Sequence, residues 1–203
     1  MRLMWRVFSL TLTLFAGPLQ AVSNPQAAVA EDKAEVLEEK VVNDAPPPKR
    51  SEILTPGEVR AVDPAGQSPM DDSITCLART LYWEAKGTDA EDMQAVANVV
   101  INRLGHDGFP DTVCAVVKQG VETKSCQFSW WCDGRPDQVE EAQRYGVAKE
   151  IARKALNQQL PDRTRGALYF HDRSVRPAWA KAFRRTLQTH HFIFYKPNPS
   201  VAR

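Results

Sequence analysis

The stretch that most constrains this chain is Cys76 to Gly87, which reads Cys-Leu-Ala-Arg-Thr-Leu-Tyr-Trp-Glu-Ala-Lys-Gly. Asp71, Asp72 and Ser73 precede it as helix N-cap candidates, and Gly87 follows as a C-cap candidate. Ile74, Leu77, Ala78, Leu81 and Ala85 recur at helical spacing and predict one apolar face. Glu84 interrupts that face. It stands three residues after Leu81 and seven after Leu77, so at about 100° per residue it points with those leucines and away from Arg79 and Trp83. A carboxylate there is partly desolvated, and it lies near a helix C-terminus, where the dipole disfavours negative charge. Both effects raise its pKa, which a general acid near neutral pH requires. The structural alternative is that Glu84 pairs with an arginine or caps a neighbouring element.

The N-terminus sets the compartment. Arg2 and Arg6 precede the apolar run Val7 to Phe15, followed by Gly17-Pro18 and small residues around Ala21 and Ser23. This is the pattern of a signal peptide over residues 1–23, cleaved after Ala21 or Ser23; the run is short for a membrane span, though retention as an anchor is the alternative. The formal net charge of +1 conceals an asymmetry. Residues 1–72 carry seven Lys/Arg against eleven Asp/Glu, and residues 73–203 nineteen against fourteen. A mildly basic exported domain suits an anionic polymer such as cell wall, and the excess is too small to indicate nucleic acid. The four cysteines therefore predict disulfides, with three possible pairings. The short Trp-rich loop between Cys126 and Cys132 favours a local bridge, which leaves Cys76 with Cys114. A zinc site is the alternative, and it needs reduced thiolates in an oxidising compartment.

Residues 24–72 are rich in Ala, Pro, Glu and Lys, include Pro46-Pro47-Pro48, and show no sustained period; they read as a disordered linker with one marginal helix around Ala30 to Val41. Beyond Gly87, Thr88-Asp89-Ala90-Glu91 resembles a capping box ahead of a strongly periodic helix ending at Gly105. Pro110-Asp111 opens a shorter helix to Gly120, and Pro136-Asp137 a long one to about Leu156. Ala167 to His171 and His191 to Tyr195 are β-prone, with a further strand possible between Arg184 and Thr189. Helices first and a small antiparallel sheet later make an α+β layout over residues 73–198, leaving 199–203 as a tail.

Ala78-Arg79-x-x-Tyr82-x-Glu84-Ala85-x-Gly87 resembles the helix motif of the bacterial cell-wall hydrolase family typified by spore-cortex-lytic enzymes (the SleB/CwlJ type). The resemblance continues through Ala95 to Arg103, Phe109-Pro110, Cys126-Gln127-Phe128-Ser129 and Tyr169-Phe170-His171. The family pattern usually continues Gly-Glu where this chain has Gly87-Thr88. The resemblance implies a lysozyme-like, mainly helical domain with a small antiparallel sheet, acting on peptidoglycan.

Glycoside cleavage needs a proton for the leaving oxygen and something to receive the oxocarbenium-like centre. Glu84 is the best proton donor in the sequence. Asp133 and Asp172 are candidates for a second carboxylate, each with a surface or turn aspartate as the plainer reading. The resemblance also implies a route without one, in which the muramic C6 hydroxyl attacks and leaves an anhydro sugar. Aromatic rings bind the apolar faces of sugars. Tyr82, Phe128, Trp130 and Tyr169 are the aromatic candidates for contact with substrate, with ordinary core packing as the alternative, and Asn98, Ser129 and His171 the polar ones, with a bridge between helices as the alternative for Asn98; strand alternation puts Tyr169 and His171 on one face and Phe170 on the other.

His106, His171, His190 and His191 show no metal-ligand spacing such as His-Glu-x-x-His, and no serine-nucleophile or phosphate-loop motif is present. No cofactor and no metal is expected. The sequence predicts an exported enzyme of the periplasm or cell envelope. It predicts a monomer cutting between N-acetylmuramic acid and N-acetylglucosamine as a muramidase or lytic transglycosylase. The rival readings are an N-acetylmuramoyl-L-alanine amidase and a non-catalytic peptidoglycan-binding protein.

Overall fold

The structure, a computed structural model, describes residues 24–123 and 125–198. The expected signal peptide and the tail at 199–203 lie outside the described residues. The chain builds α1 (Pro25–Val42), α2 (Pro56–Ala61), α3 (Ser73–Glu84), α4 (Ala90–Arg103), α5 (Val113–Lys118) and α6 (Ala142–Leu156), then β1 (Tyr169–Asp172), β2 (Phe183–Gln188) and β3 (Phe192–Pro197). The strands form one antiparallel sheet in the order β1-β3-β2. The α+β layout is therefore as expected from sequence.

Helix α3 is the axis of the fold. It starts where the Asp72 side chain accepts the Thr75 N–H at 2.8 Å. It packs against α1, α4, α5 and α6, and every residue from Ile74 to Tyr82 is buried. A helix buried on all sides belongs to the centre of a core, so the single apolar face expected from sequence is too narrow a description. Cys76 on α3 is bridged to Cys114 on α5, with Cα atoms 5.2 Å apart, and Cys126 to Cys132, both as expected. Two helix starts are corrected. Asp89, not Thr88, caps α4. Residues 136–141 are a loop ahead of α6, held because the Tyr82 hydroxyl accepts the Glu140 and Glu141 N–H groups and Gly66 O accepts that of Val139.

The linker expected over 24–72 is also corrected. Ala30, Ala34 and Leu37 are fully buried on α1, and they join one hydrophobic cluster that runs on to Phe194. Polar side chains lock the segment down. Glu38 Oε2 accepts from the Ser73 hydroxyl at 2.8 Å and from the Val113 N–H at 2.6 Å, closing the start of α5. Asn157 exchanges two hydrogen bonds with the Leu54 backbone. Asp63 forms a buried ion pair with Arg79 at 2.9 Å. Residue 73 is thus no boundary in the structure, and 24–72 belongs to the same core.

Helix α4 places the sheet. Asn102 Nδ2 donates to Ala167 O at 3.2 Å, and Arg103 Nε donates to Leu168 O at 2.8 Å. His191 Nδ1 lies 2.6 Å from Asp92 Oδ2. The end of α3, the start of β1 and the loop carrying the 3-10 turn Ser129–Cys132 thereby converge around one side chain, Glu84.

Candidate active site

Glu84 is the last residue of α3. Its side chain is partly exposed, but Oε1 is buried without a hydrogen-bond partner among the described residues. Burial pushes its carboxyl up to about 7, against the opposing pull of the Arg103 charge and of the Ser129 and Trp130 backbone N–H groups. An acid with that affinity holds its proton near neutral pH and can release it into the space it faces.

Two hollows meet at Glu84. One, of about 510 Å³, is walled by Trp83, Trp130, Asp133, Arg135, Asp137 and Glu140. The other, of about 720 Å³, is walled by Arg103, Gln127, Tyr169, His171, Trp179 and Phe183. Glu84, Lys86 and Ser129 belong to both. The first is polar and charged, and Lys86 bridges to Glu140 at its edge. The second is a pile of rings: Tyr169 stacks on Phe183 at 4.7 Å, and Trp179 lies within 6 Å of Tyr169, His171, Phe183 and Tyr195. Ring faces of this kind bind the C–H faces of sugars.

Arg103, absent from the expected set, also stands on the wall of the aromatic hollow. It is 2% exposed, its guanidinium sits over the rings of Phe109, Phe128 and Tyr169, and its Nη1 has no partner among the described residues. Burial lowers its pKa to about 10, so it stays charged in the physiological range. The sequence carried a signal for it. Position 103 falls three after Val100 and seven after Val96, the same intrusion of charge into an apolar stripe that marks Glu84.

Of the expected substrate-contacting residues, Ser129, Trp130, Tyr169 and His171 stand on the walls of the two hollows. Trp130 is mostly covered, at 6% exposure. His171 is held by the Tyr195 hydroxyl at 3.0 Å from Nε2, and the Asp172 carbonyl lies 2.8 Å from Nδ1. Three expectations are corrected. Tyr82 is fully buried, with its hydroxyl engaged by the 140–141 backbone. Phe128 is fully buried beneath Arg103 and Phe170. Asn98 faces a separate hollow beside α1, where Oδ1 accepts the Arg163 N–H at 3.2 Å. Asp133 lines the polar hollow and accepts the Arg135 N–H; Asp172 lines the aromatic one, held below the usual carboxylate range by the hydroxyl and N–H of Ser174.

The Cell Wall Hydrolase family matches residues 87–195, beginning three positions after Glu84. The spore cortex-lytic enzyme of Halalkalibacterium halodurans is 34% identical over 109 residues, 53% of this chain and 28% of that one. The spore cortex-lytic enzyme of Oceanobacillus iheyensis is 44% identical over 54 residues, 27% of this chain and 19% of that one. The chain thus matches little more than a quarter of the first relative and about a fifth of the second. Among solved structures, the catalytic domain of the germination-specific lytic transglycosylase SleB from Bacillus anthracis aligns with a TM-score of 0.49 and 26% identity, over 64% of this chain and 98% of that one. With more than half of its length matched, this chain belongs to the cell wall hydrolase family.

Proposed function

We propose that this protein is an exported, monomeric peptidoglycan-cleaving enzyme of the cell envelope. It cuts the glycan strand between N-acetylmuramic acid and N-acetylglucosamine, with Glu84 as general acid. The observation that carries the reading is a carboxyl raised to about 7 at the junction of two hollows, with one oxygen cut off from solvent. A strand laid through both hollows passes its scissile bond over Glu84. The proton moves from Glu84 to the bridging oxygen as the anomeric C–O bond breaks and its electron pair passes to that oxygen. The Glu84 carboxylate then takes the proton from the muramic C6 hydroxyl as that oxygen closes on the anomeric carbon, or from a water that attacks there. The first route leaves an anhydro end and the second a reducing end, and neither draws on a second carboxylate.

Trp179, Tyr169 and Ser129 are the side chains we assign to substrate contact, the rings against sugar faces and the hydroxyl toward an amide or hydroxyl group. An amidase reading needs metal ligands brought together. Among the described residues no three His, Cys, Asp or Glu side chains cluster in that way. Mass spectrometry of the fragments released from purified sacculi tests the proposal. Disaccharide–peptides with an anhydro or reducing muramic end support it, whereas free peptides and intact glycan strands overturn it in favour of the amidase.

A further inference from the structure

Charge is divided unevenly between the two halves of this chain. Residues 24–161, the helical part, carry fifteen Lys/Arg against twenty-three Asp/Glu, a balance of −8. Residues 162–198, which hold the sheet, carry eight against two, a balance of +6. Of those eight cations only Arg163 has a carboxylate partner among the described residues, Glu91 at 3.3 Å. Arg173, Arg176, Lys181, Arg184 and Arg185 are all exposed. They sit on the segments that carry Asp172, Trp179 and Phe183, which wall the aromatic hollow. A solvated surface with no task usually mixes its signs, whereas this one concentrates a single sign on the segments that border a cleft.

We propose that this basic rim is a second binding surface, which captures the carboxylates of the peptide stems hanging from the strand seated in the cleft. The proposal rests on the reading of peptidoglycan as substrate. Stems branch from the same polymer that the ring pile holds, and the cations lie on the same segments as Asp172, Trp179 and Phe183 of its wall. An anionic membrane is the competing partner for a basic face. What favours the stems is the place of Trp179: its ring is exposed at 36%, but it lies against Tyr169, His171, Phe183 and Tyr195 and walls the same hollow that seats the strand. Attraction of this kind acts over about 10 Å at moderate salt and fades as salt rises.

The test reads binding without turnover. Full-length Glu84→Gln protein is sedimented with purified sacculi over a range of salt, alongside a version that also carries Arg176→Gln and Lys181→Gln, which flank Trp179 in the chain. Those two side chains make no hydrogen bond or ion pair among the described residues, so their loss leaves the fold intact, which circular dichroism checks. The rim predicts affinity about fivefold weaker for this variant, from two exposed ion pairs of modest strength each. It predicts the same loss for the parent on sacculi whose carboxyls have been converted to neutral amides. Equal binding by both proteins, or indifference to amidation, overturns the proposal. Tighter binding to phosphatidylglycerol vesicles than to sacculi overturns it in favour of a membrane. Carboxylate-dependent binding without any glycan cleavage by the wild type leaves the rim standing and removes the catalytic reading instead.

Discussion

Two carboxylate–arginine pairs lie in the interior near α3, and they are built in opposite ways. Asp63 and Arg79 satisfy each other. Besides the 2.9 Å ion pair, Asp63 accepts from the Tyr145 hydroxyl at 2.7 Å and from the Gln67 and Ser68 N–H groups, and Arg79 donates to Ser68 O. Burial pushes the Asp63 carboxyl up, but these partners outweigh it and hold the group below its usual range. Glu84 and Arg103 form no ion pair, and each keeps a buried atom unpartnered, Oε1 on one and Nη1 on the other. There burial wins, and Glu84 rises to about 7. Burial alone therefore does not make an acid. An acid results where burial is left uncompensated beside a cavity that substrate can fill.

The largest effect that would break this contrast is on catalysis. Glu84→Gln keeps the shape of the side chain but has no proton to give, so sacculus clearing should fall by about 10²–10⁴-fold with an unchanged circular dichroism spectrum. A folded variant clearing sacculi at the wild-type rate would transfer the acid role to Asp133, Asp172 or a histidine. Asp63→Asn, the matching change in the satisfied pair, should act on stability. It leaves Arg79 buried and uncompensated, a loss of about 3–5 kcal/mol. At ~2–4 °C per kcal/mol for a chain of this size, Tm drops by roughly 10 °C. Activity per folded molecule should be unchanged, and a shifted pH–rate profile would show that the two pairs are one network.

The pairs should also respond to pH with opposite sign. Asp63, held low, contributes stability that is present above the ordinary aspartate pKa and lost as pH falls through its folded value. Glu84, held high, contributes stability that is present below about 4.5 and lost as pH rises through about 7. At ~1.4 kcal/mol per pH unit, Glu84→Gln should therefore gain on wild type by up to about 3 kcal/mol between those limits and no further above them. Chemical denaturation at pH 4, 6 and 8 measures this, and a constant difference across the three would mean that Glu84 is not raised in the folded state.

What the sequence made legible follows from the range of the forces involved. The burial of Glu84 could be read from helical period, the α+β order from helical period followed by β-prone runs, and the two disulfides from the export signal and the short Cys126–Cys132 loop. Arg103 was open to the same rule. Tyr82 and Asn98 were misread because a polar atom on a motif residue looks like a hand for substrate. Their partners are backbone N–H groups 58, 59 and 65 positions away, which no local pattern announces. Helix α1 was expected as a marginal helix, but its packing into the core was hidden for a related reason. Its buried stripe is Ala30, Ala34 and Leu37, too small to stand out by hydropathy, and Glu38 and Asp63, which read as linker charges, are anchors across the core.

The smallest effect separates the charge of Arg103 from its structural bond. Arg103 does two things: Nε holds Leu168 O at the entry to β1, and the guanidinium charge restrains the rise of Glu84. Arg103→Met and Arg103→Lys both lose the planar fork and should share a moderate loss of Tm, but lysine keeps a positive charge. Because the catalytic form of Glu84 is the protonated one, activity falls as pH rises through its pKa, which places the alkaline limb of kcat/KM near 7. Removing the charge in Arg103→Met lets burial push the carboxyl higher, so the limb moves upward, by up to ~1 pH unit. Arg103→Lys should hold the limb near its wild-type position. If both variants lose stability and neither moves the limb, Arg103 is a strut for the sheet, and Glu84 owes its proton to burial alone.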